Sequence, residues 1–249
     1  MNLVLRGFAG LALGLPLVLP LPAVAQTRSK PVAARSAKPA VSVAPTSAAP
    51  IQAPSPDEPI SPSDSALRVV DWVGVSKDNH ALPYVIVDKV NAAMFLFDST
   101  GKPIAAVPVL VGIAPGDEAT PGVGSKTLAE IGPAEKTTPA GRYLAKFGLA
   151  FRKERILWVD YATSVAIHPI PGDVGKAEGR RERMLSPTPD DNRITFGCIN
   201  VPRAFYSKSL RPLFQKKGGY VYVLPDTRPI EEVFPRLRVH ALQNSGLYR

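Results

Sequence analysis

The stretch YVIVDKVNAAMFLFD, residues 84–98, predicts two β-strands joined by a turn at residues 89–91. Branched and aromatic side chains fill both halves of it, and this composition favours strands. The run Ser-Thr-Gly-Lys-Pro at residues 99–103 is a turn signal that ends the second strand. We therefore expect a folded domain that opens with a β-hairpin.

Further apolar segments of similar length follow, with turn signals between them. They are residues 104–112, 141–147, 156–163, 164–168 and 218–225. Only one clear helix is predicted, from Pro202 to residue 214, because proline at the first helical position loses no hydrogen bond. The predicted fold class is mostly β, with one or two short helices.

The first 25 residues predict a secretory signal peptide. A Leu-rich apolar run ends in Ala23-Val24-Ala25, the small-residue pattern that precedes cleavage. An uncleaved membrane anchor is the alternative, but Pro16, Pro20 and Pro22 favour cleavage. We expect no membrane span after cleavage, and a product that lies outside the cytoplasm.

Residues 26–65 are rich in Pro, Ala and Ser and have few large apolar side chains. Such a segment cannot bury enough surface to offset the entropy of ordering, so we predict a disordered tether. Residues 66–225 are then one folded domain. The tail at 226–249 mixes apolar and basic residues, and the sequence leaves open whether it packs as a short helix.

The charge of the chain restricts the kind of partner it meets. Thirty Lys and Arg against 21 Asp and Glu give a formal net charge of +9. A secreted basic protein is expected to meet an anionic surface or polymer, and we find no nucleic-acid-binding motif. The single cysteine and three histidines are too scattered for a zinc site, so no metal and no cofactor are predicted.

The single cysteine, Cys198, lies after a glycine and just before the predicted helix, in RITFGCINVP (193–202). A helix N-terminus lowers a thiol pKa and favours anionic intermediates. The best candidate for a base is His168, which ends the predicted strand 164–168 and is followed by a stiff Pro-rich turn. Gly197 would let a substrate carbonyl approach, with backbone N–H groups as the oxyanion hole. The alternative is an inert core thiol and an unrelated histidine.

These residues resemble the catalytic domain of the L,D-transpeptidases, also called YkuD-like domains. The resemblance rests on His168 followed by Thr195-Phe196-Gly197-Cys198-Ile199-Asn200, and on the turn Thr138-Pro139-Ala140-Gly141. It extends over about residues 82–225. It implies a β-sandwich-like domain in which the cysteine and the histidine face one cleft.

The resemblance also implies roles for individual residues. Cys198 would be the nucleophile and His168 its base, with the Pro169 carbonyl orienting the imidazole ring. The backbone of Gly197 and Cys198 would bind the oxyanion. Residues expected to line the substrate are Thr195, Phe196, Asn200 and Arg193.

Two departures from the family pattern concern the surroundings of the thiol. Phe196 stands where the family usually has a second histidine, so a polar neighbour is replaced by an apolar ring. His168 and Cys198 are 30 positions apart, and the additional residues at 172–183 form an Arg-rich loop. We expect this loop to act as a lid or to reach an anionic substrate.

The implied activity is transpeptidation of peptidoglycan stem peptides in the periplasm through a thioester on the cysteine. The acyl acceptor would be another stem peptide, giving a cross-link, or an envelope protein. One alternative is a carboxypeptidase or hydrolase of the same linkages. Another is a catalytically silent protein that binds the cell wall or acts as a scaffold.

Overall fold

A computed structural model of the chain describes residues 60–150 and 154–244. The predicted signal peptide and residues 26–59 of the predicted tether lie outside these ranges. In the described part, ten strands and seven α-helical segments alternate with short turns. The domain is mostly β, as the composition predicts.

Eight strands form one sheet. In chain order they are β1 (Tyr84–Asp88), β2 (Ala93–Phe97), β3 (Pro103–Pro108), β5 (Gly141–Leu149), β6 (Arg155–Asp160), β7 (Val165–Pro169), β9 (Ile199–Val201) and β10 (Gly219–Val223). Their order across the sheet is β3-β2-β1-β10-β5-β6-β7-β9. Two short strands, β4 (Val111–Gly112) and β8 (Arg193–Thr195), pair with each other in parallel.

The helices lie at the ends of the domain, in the long connection between β7 and β8, and between β9 and β10. They are α1 (Asp64–Ser76), α2 (Gly172–Ala177), α3 (Arg180–Met184), α4 (Arg203–Phe205), α5 (Arg211–Phe214), α6 (Ile230–Val233) and α7 (Arg236–Asn244). A π-helical turn, Tyr206–Leu210, joins α4 to α5, so the helix predicted at 202–214 is present as one helical segment.

The sheet is buried on both faces at β1 and β10, which explains why these strands have no polar alternation. Val85 and Val87 of β1 point into a core shared with β2, β5–β7, β9 and the helical segment 203–214. Tyr84 and Ile86 point the other way, into a core with α1, α6 and α7. Because both ends of the sheet contribute side chains to the first core, the sheet must curl on itself.

The two ends of the sheet are joined through the backbone. After β3, Leu110 exchanges hydrogen bonds with Asn200 of β9, at 3.0 and 2.9 Å. The next residues pair as β4 with β8. The sheet is therefore nearly closed, and the closing segment runs directly beside the end of β9.

Three features differ from the sequence prediction. The segment 104–112, predicted as one strand, divides after Pro108 because the chain there leaves β2 to reach β9. The helical part exceeds the one or two short helices expected. Helix α1 begins at Asp64, inside the segment assigned to the tether, and the tail forms α6 and α7, whose residues Ile230 and Leu237 are buried.

Helix α1 has a local cause in the sequence. Ser63 caps it by accepting a hydrogen bond from the Ala66 N–H at 3.1 Å. The negative charge of Asp64 in the first turn interacts favourably with the positive end of the helix dipole. Its buried residues, Ala66, Val69, Trp72 and Val73, repeat at helical spacing.

Candidate active site

The site lies where β7 and β9 run side by side in parallel. Their register pairs Ile167 with Ile199 and His168 with Asn200. Both isoleucines point into the core, so His168 and Asn200 lie on the opposite face of the sheet. Cys198 is the residue immediately before β9. The structure therefore places the predicted nucleophile and the predicted base on neighbouring strands.

The His168 ring has one nitrogen fixed by the backbone. Nδ1 is 2.8 Å from the Pro169 carbonyl, which accepts only, so the proton lies on Nδ1. Nε2 is left as an acceptor and lies 3.4 Å from Asn200 Nδ2. Burial lowers the pKa of His168, and the charge of Arg180 acts in the same direction, against the Pro169 carbonyl and Glu154. A neutral imidazole with a basic Nε2 can accept a proton.

Cys198 is half-buried, and its Sγ lies 3.6 Å from the Ser164 carbonyl. Burial raises the pKa of the thiol, while the Ala166 N–H and the charge of Arg180 oppose this effect. At neutral pH the sulphur is therefore held as a thiol, and attack on a carbonyl carbon requires a base to remove its proton. No pattern in the sequence predicts this contact with the Ser164 carbonyl.

The turn that carries Cys198 requires glycine at position 197. Gly197 has φ +121°, and a Cβ there would lie 2.7 Å from the Thr137 carbonyl oxygen. The hydroxyl of Thr195 donates to the Cys198 carbonyl at 2.6 Å and accepts from the Gly197 N–H at 3.2 Å. The N–H that the sequence predicts as an oxyanion donor is thus directed at Thr195 in this structure, because the tight turn brings the hydroxyl within reach.

The Thr-Pro-x-Gly turn is hydrogen-bonded to the turn that carries Cys198. The hydroxyl of Thr138 donates to the Gly197 carbonyl at 2.8 Å and accepts from the Gly112 N–H at 2.8 Å. The Thr138 carbonyl in turn accepts from Lys89 Nζ at 2.9 Å. A chain of contacts therefore links the turn after β1 to the peptide bond next to the thiol.

Lys89 is only 1% exposed and lies among oxygen atoms. Its Nζ is 2.8 Å from Asp117 Oδ1 and 3.3 Å from Asp226 Oδ1. Burial alone would raise the pKa of Asp117, but hydrogen bonds from Lys89, Thr227 and backbone N–H groups hold it well below 3.8. Asp117 is therefore ionised, and the ion pairs of Lys89 with Asp117 and Asp226 fix the loops that surround Thr138.

Two of the predicted substrate-lining residues have other partners here. Arg193 Nη2 is 2.6 Å from Asp226 Oδ2, so this guanidinium belongs to the Lys89 cluster. The ring of Phe196 is half-buried and lies under Lys136, whose Nζ is 3.8 Å from the ring centroid. The aromatic residue before the Gly197-Cys198 turn thus takes part in a cation–π contact.

The Arg-rich loop at 172–183 folds into α2 and the start of α3. Arg180, the first residue of α3, is 6% exposed. Its Nη1 donates to Asn200 Oδ1 at 2.7 Å, and its Nε donates to Glu178 at 2.6 Å. The sequence shows a basic loop but contains no signal that separates this buried arginine from Arg181 and Arg183.

A cleft of about 380 Å³ opens beside His168. Its wall includes the Pro-rich turn at 169–172, two acidic residues, Glu154 and Asp173, and one basic residue, Arg203. A polar substrate group that enters this cleft would therefore approach the base from the side of the turn.

No helix in the ranges 60–150 and 154–244 is long and apolar enough to cross a membrane. Within the same ranges, no three His, Cys, Asp or Glu side chains are grouped so as to hold a metal ion.

Comparisons with known proteins give structural matches alone. No family model and no curated protein matches the sequence. An L,D-transpeptidase crystal structure from Xylanimonas cellulosilytica has a TM-score of 0.34 and 14% identity, over 57% of this chain and 60% of that one. The NMR structure of the E. faecium L,D-transpeptidase catalytic domain has a TM-score of 0.31 and 20% identity, over 57% of this chain and 95% of that one. The chain thus spans less than two thirds of the Xylanimonas structure.

Proposed function

We propose that the chain is an L,D-transpeptidase in which Cys198 is the nucleophile and His168 the base. The observation that carries this proposal is the tautomer of His168. The Pro169 carbonyl holds the proton on Nδ1, so Nε2 is the acceptor nitrogen of the ring. Its strand, β7, pairs with β9, which begins immediately after Cys198. A thiol with a raised pKa needs such a base.

In the first half of the reaction, His168 Nε2 takes the proton from the Cys198 thiol as the sulphur attacks the carbonyl carbon of a peptide bond. A tetrahedral intermediate forms, with negative charge on the former carbonyl oxygen. The imidazolium then gives its proton to the departing amine as the C–N bond breaks. The product of this half is a thioester on Cys198 and a free amine.

In the second half, an acceptor amine attacks the thioester carbon and His168 removes a proton from it. The C–S bond breaks, the thiol is restored and a new amide bond is formed. Water in place of the amine would give a carboxylic acid and make the enzyme a carboxypeptidase. The reaction needs no redox step in either case.

The substrate class that we propose is the stem peptide of peptidoglycan, with the periplasm as the compartment. The formal net charge of +9 suits an enzyme that acts on an anionic polymer. The secretory pattern at residues 1–25 and the Pro- and Ala-rich segment after it suit an enzyme that searches a fixed substrate from a tether.

The experiment that tests this proposal is mass spectrometry of the purified protein after incubation with a carbapenem, a β-lactam that acylates thiol nucleophiles of this type. We expect one adduct, located on Cys198, that is absent in Cys198→Ser. We expect His168→Ala to slow its formation by roughly 10²- to 10⁴-fold. His80→Asn is the matched control, because His80 is exposed in a turn with φ +48° that asparagine also tolerates.

A folded wild-type protein that forms no adduct would contradict the proposal and favour a silent wall-binding protein. If the adduct forms, the acceptor is identified by incubating the protein with stem peptides in the presence and absence of an added amine. A cross-linked product indicates a transpeptidase, and a shortened peptide alone indicates a carboxypeptidase.

A further inference from the structure

Arg180 is a buried cation that contacts Asn200, two residues after the proposed nucleophile. Arg180 forms an ion pair with Glu178, whose carboxylate is 2.6 Å from Nε and whose side chain is 37% exposed. A partly solvated carboxylate screens a buried guanidinium incompletely. Arginine therefore leaves positive charge at this end of β9, on the face of the sheet that carries His168 and Asn200.

The contact between Arg180 and Asn200 also fixes an amide. Arg180 can only donate, so the Asn200 atom 2.7 Å away is the oxygen Oδ1. The amide nitrogen must then point away from Arg180, and it lies 3.4 Å from His168 Nε2. This nitrogen donates, so the contact suits the neutral, Nδ1-protonated form of His168.

We propose that Arg180 is a positioning residue of this site: it orients the Asn200 amide toward His168 and places its positive charge at Asn200, two residues after Cys198. The inference deepens the proposed function and rests on it in one respect, that Cys198 is the nucleophile. It assigns a role to the loop 172–183, which the family resemblance leaves without one.

The charges that face the two reacting groups are consistent with this role. Burial raises the pKa of the Cys198 thiol, whereas the Ala166 N–H and the charge of Arg180 lower it and so favour the thiolate. His168 feels Arg180, which favours the neutral ring, and Glu154, which favours the charged ring. Arg180 thus favours the reactive form of each group, a thiolate and a neutral imidazole.

The test is the pH dependence of Cys198 alkylation by iodoacetamide, followed by intact mass on the full chain. Arg180→Gln retains a donor for Asn200 but removes the charge. We expect alkylation at pH 7 to fall on the order of tenfold and the profile to move to higher pH. Arg180→Lys retains the charge and should recover most of the rate. Arg181→Gln, an exposed arginine of the same helix, should leave the profile unchanged.

Two results would overturn the inference. One is an Arg180→Gln protein that unfolds at the wild-type temperature and shows the wild-type alkylation profile. The other is an equal shift in Arg181→Gln, which would indicate a general effect of net charge. If Arg180→Gln does not fold, the comparison of Arg180→Lys with the wild type decides, because a structural role alone predicts no recovery with lysine.

Alkylation needs neither a stem peptide nor a carbapenem, so it separates this inference from the proposed function. If Cys198 is alkylated as expected but never acylated, the role of Arg180 is supported and the proposed transpeptidase activity is refuted. If Cys198 is acylated at equal rates in the wild type and in Arg180→Gln, the activity is supported and the role of Arg180 is refuted.

Discussion

The hydroxyl of Thr138 connects two motifs that are 59 residues apart in the chain. One is the Thr-Pro-x-Gly turn, and the other is the glycine–cysteine turn that carries the thiol. The sequence identifies each motif separately, but the hydrogen bond between them exists only once β5 and β9 are in place. At the scale of single residues, the geometry of the thiol thus depends on a side chain outside its own segment.

Thr138→Val tests this connection. Valine has the same shape but leaves the Gly112 N–H and the Gly197 carbonyl without their partner, so we expect a loss of about 1–3 kcal/mol in the free energy of unfolding. We also expect slower acylation of Cys198. Urea unfolding measures the first effect, and Thr100→Val, which alters an exposed turn, should change it little. A stable variant with full acylation would refute the connection.

The lowered pKa of His168 predicts a pH dependence of stability. In the folded chain this pKa lies below the ordinary 6.5, so between the two values the unfolded chain carries a proton that the folded chain does not. Stability must therefore fall as the pH drops below about 6.5. The difference in unfolding free energy between the wild type and His168→Gln, measured in urea, should be constant above pH 7, and the wild type should lose more stability than the variant by pH 5. Parallel curves would contradict the lowered pKa.

At the scale of elements, the turn after β1 carries Lys89, and the prediction of a turn gives no sign that this lysine is buried. Its ammonium group joins the loop around Asp117, the Thr138 turn and the segment after β10. These three segments are separated from one another in the sequence. The cluster therefore determines how three loops meet beneath the site.

Lys89→Met should lower the free energy of unfolding by about 3–5 kcal/mol, because it leaves the buried carboxylate of Asp117 without its cation, whereas Asp226 keeps Arg193. Lys126→Met removes a lysine–carboxylate pair that is partly exposed, and it should have a much smaller effect. Thermal unfolding of both variants gives the comparison. Equal losses would mean that the buried cluster contributes no more than a surface ion pair.

At the scale of the whole molecule, two cores lie on opposite faces of one sheet. The first encloses the strands of the site, and the second lies under α1, α6 and α7. Trp72 of α1 is 4% exposed and packs edge-on against Tyr222. The ends of the described chain thus stabilise the sheet at β1 and β10, on the face opposite the first core.

Trp72→Ala should lower the free energy of unfolding by about 3–5 kcal/mol, because a large buried ring is removed from the second core. Leu67→Ala, at a position in the same helix that is 50% exposed, should change it by about 0.5 kcal/mol. Chemical unfolding gives both values. A small effect of Trp72→Ala would show that α1 is dispensable for the fold.

The sequence predicts the parts of the molecule that depend on local patterns. The apolar runs give the strands, and Pro202 gives the start of a helix. Helix α1 was within reach of the same reasoning, since Ser63 and the spacing of Ala66, Val69 and Val73 are helix signals. Residues whose role arises from tertiary contacts carry no local signal. Arg180 and Lys89 are of this kind, because burial distinguishes them and burial follows from the fold.

Asn200 joins the ends of the sheet through its backbone and belongs to the site through its side chain. The backbone pairing of Asn200 with Leu110 and the contact of its side chain with His168 therefore form together as the chain folds. Contacts between residues so distant in sequence form late, after the hairpins and helices. A chain that has not yet closed its sheet therefore lacks the ordered surroundings of its thiol. Formation of the ordered surroundings of the Cys198 thiol is thus coupled to completion of the fold.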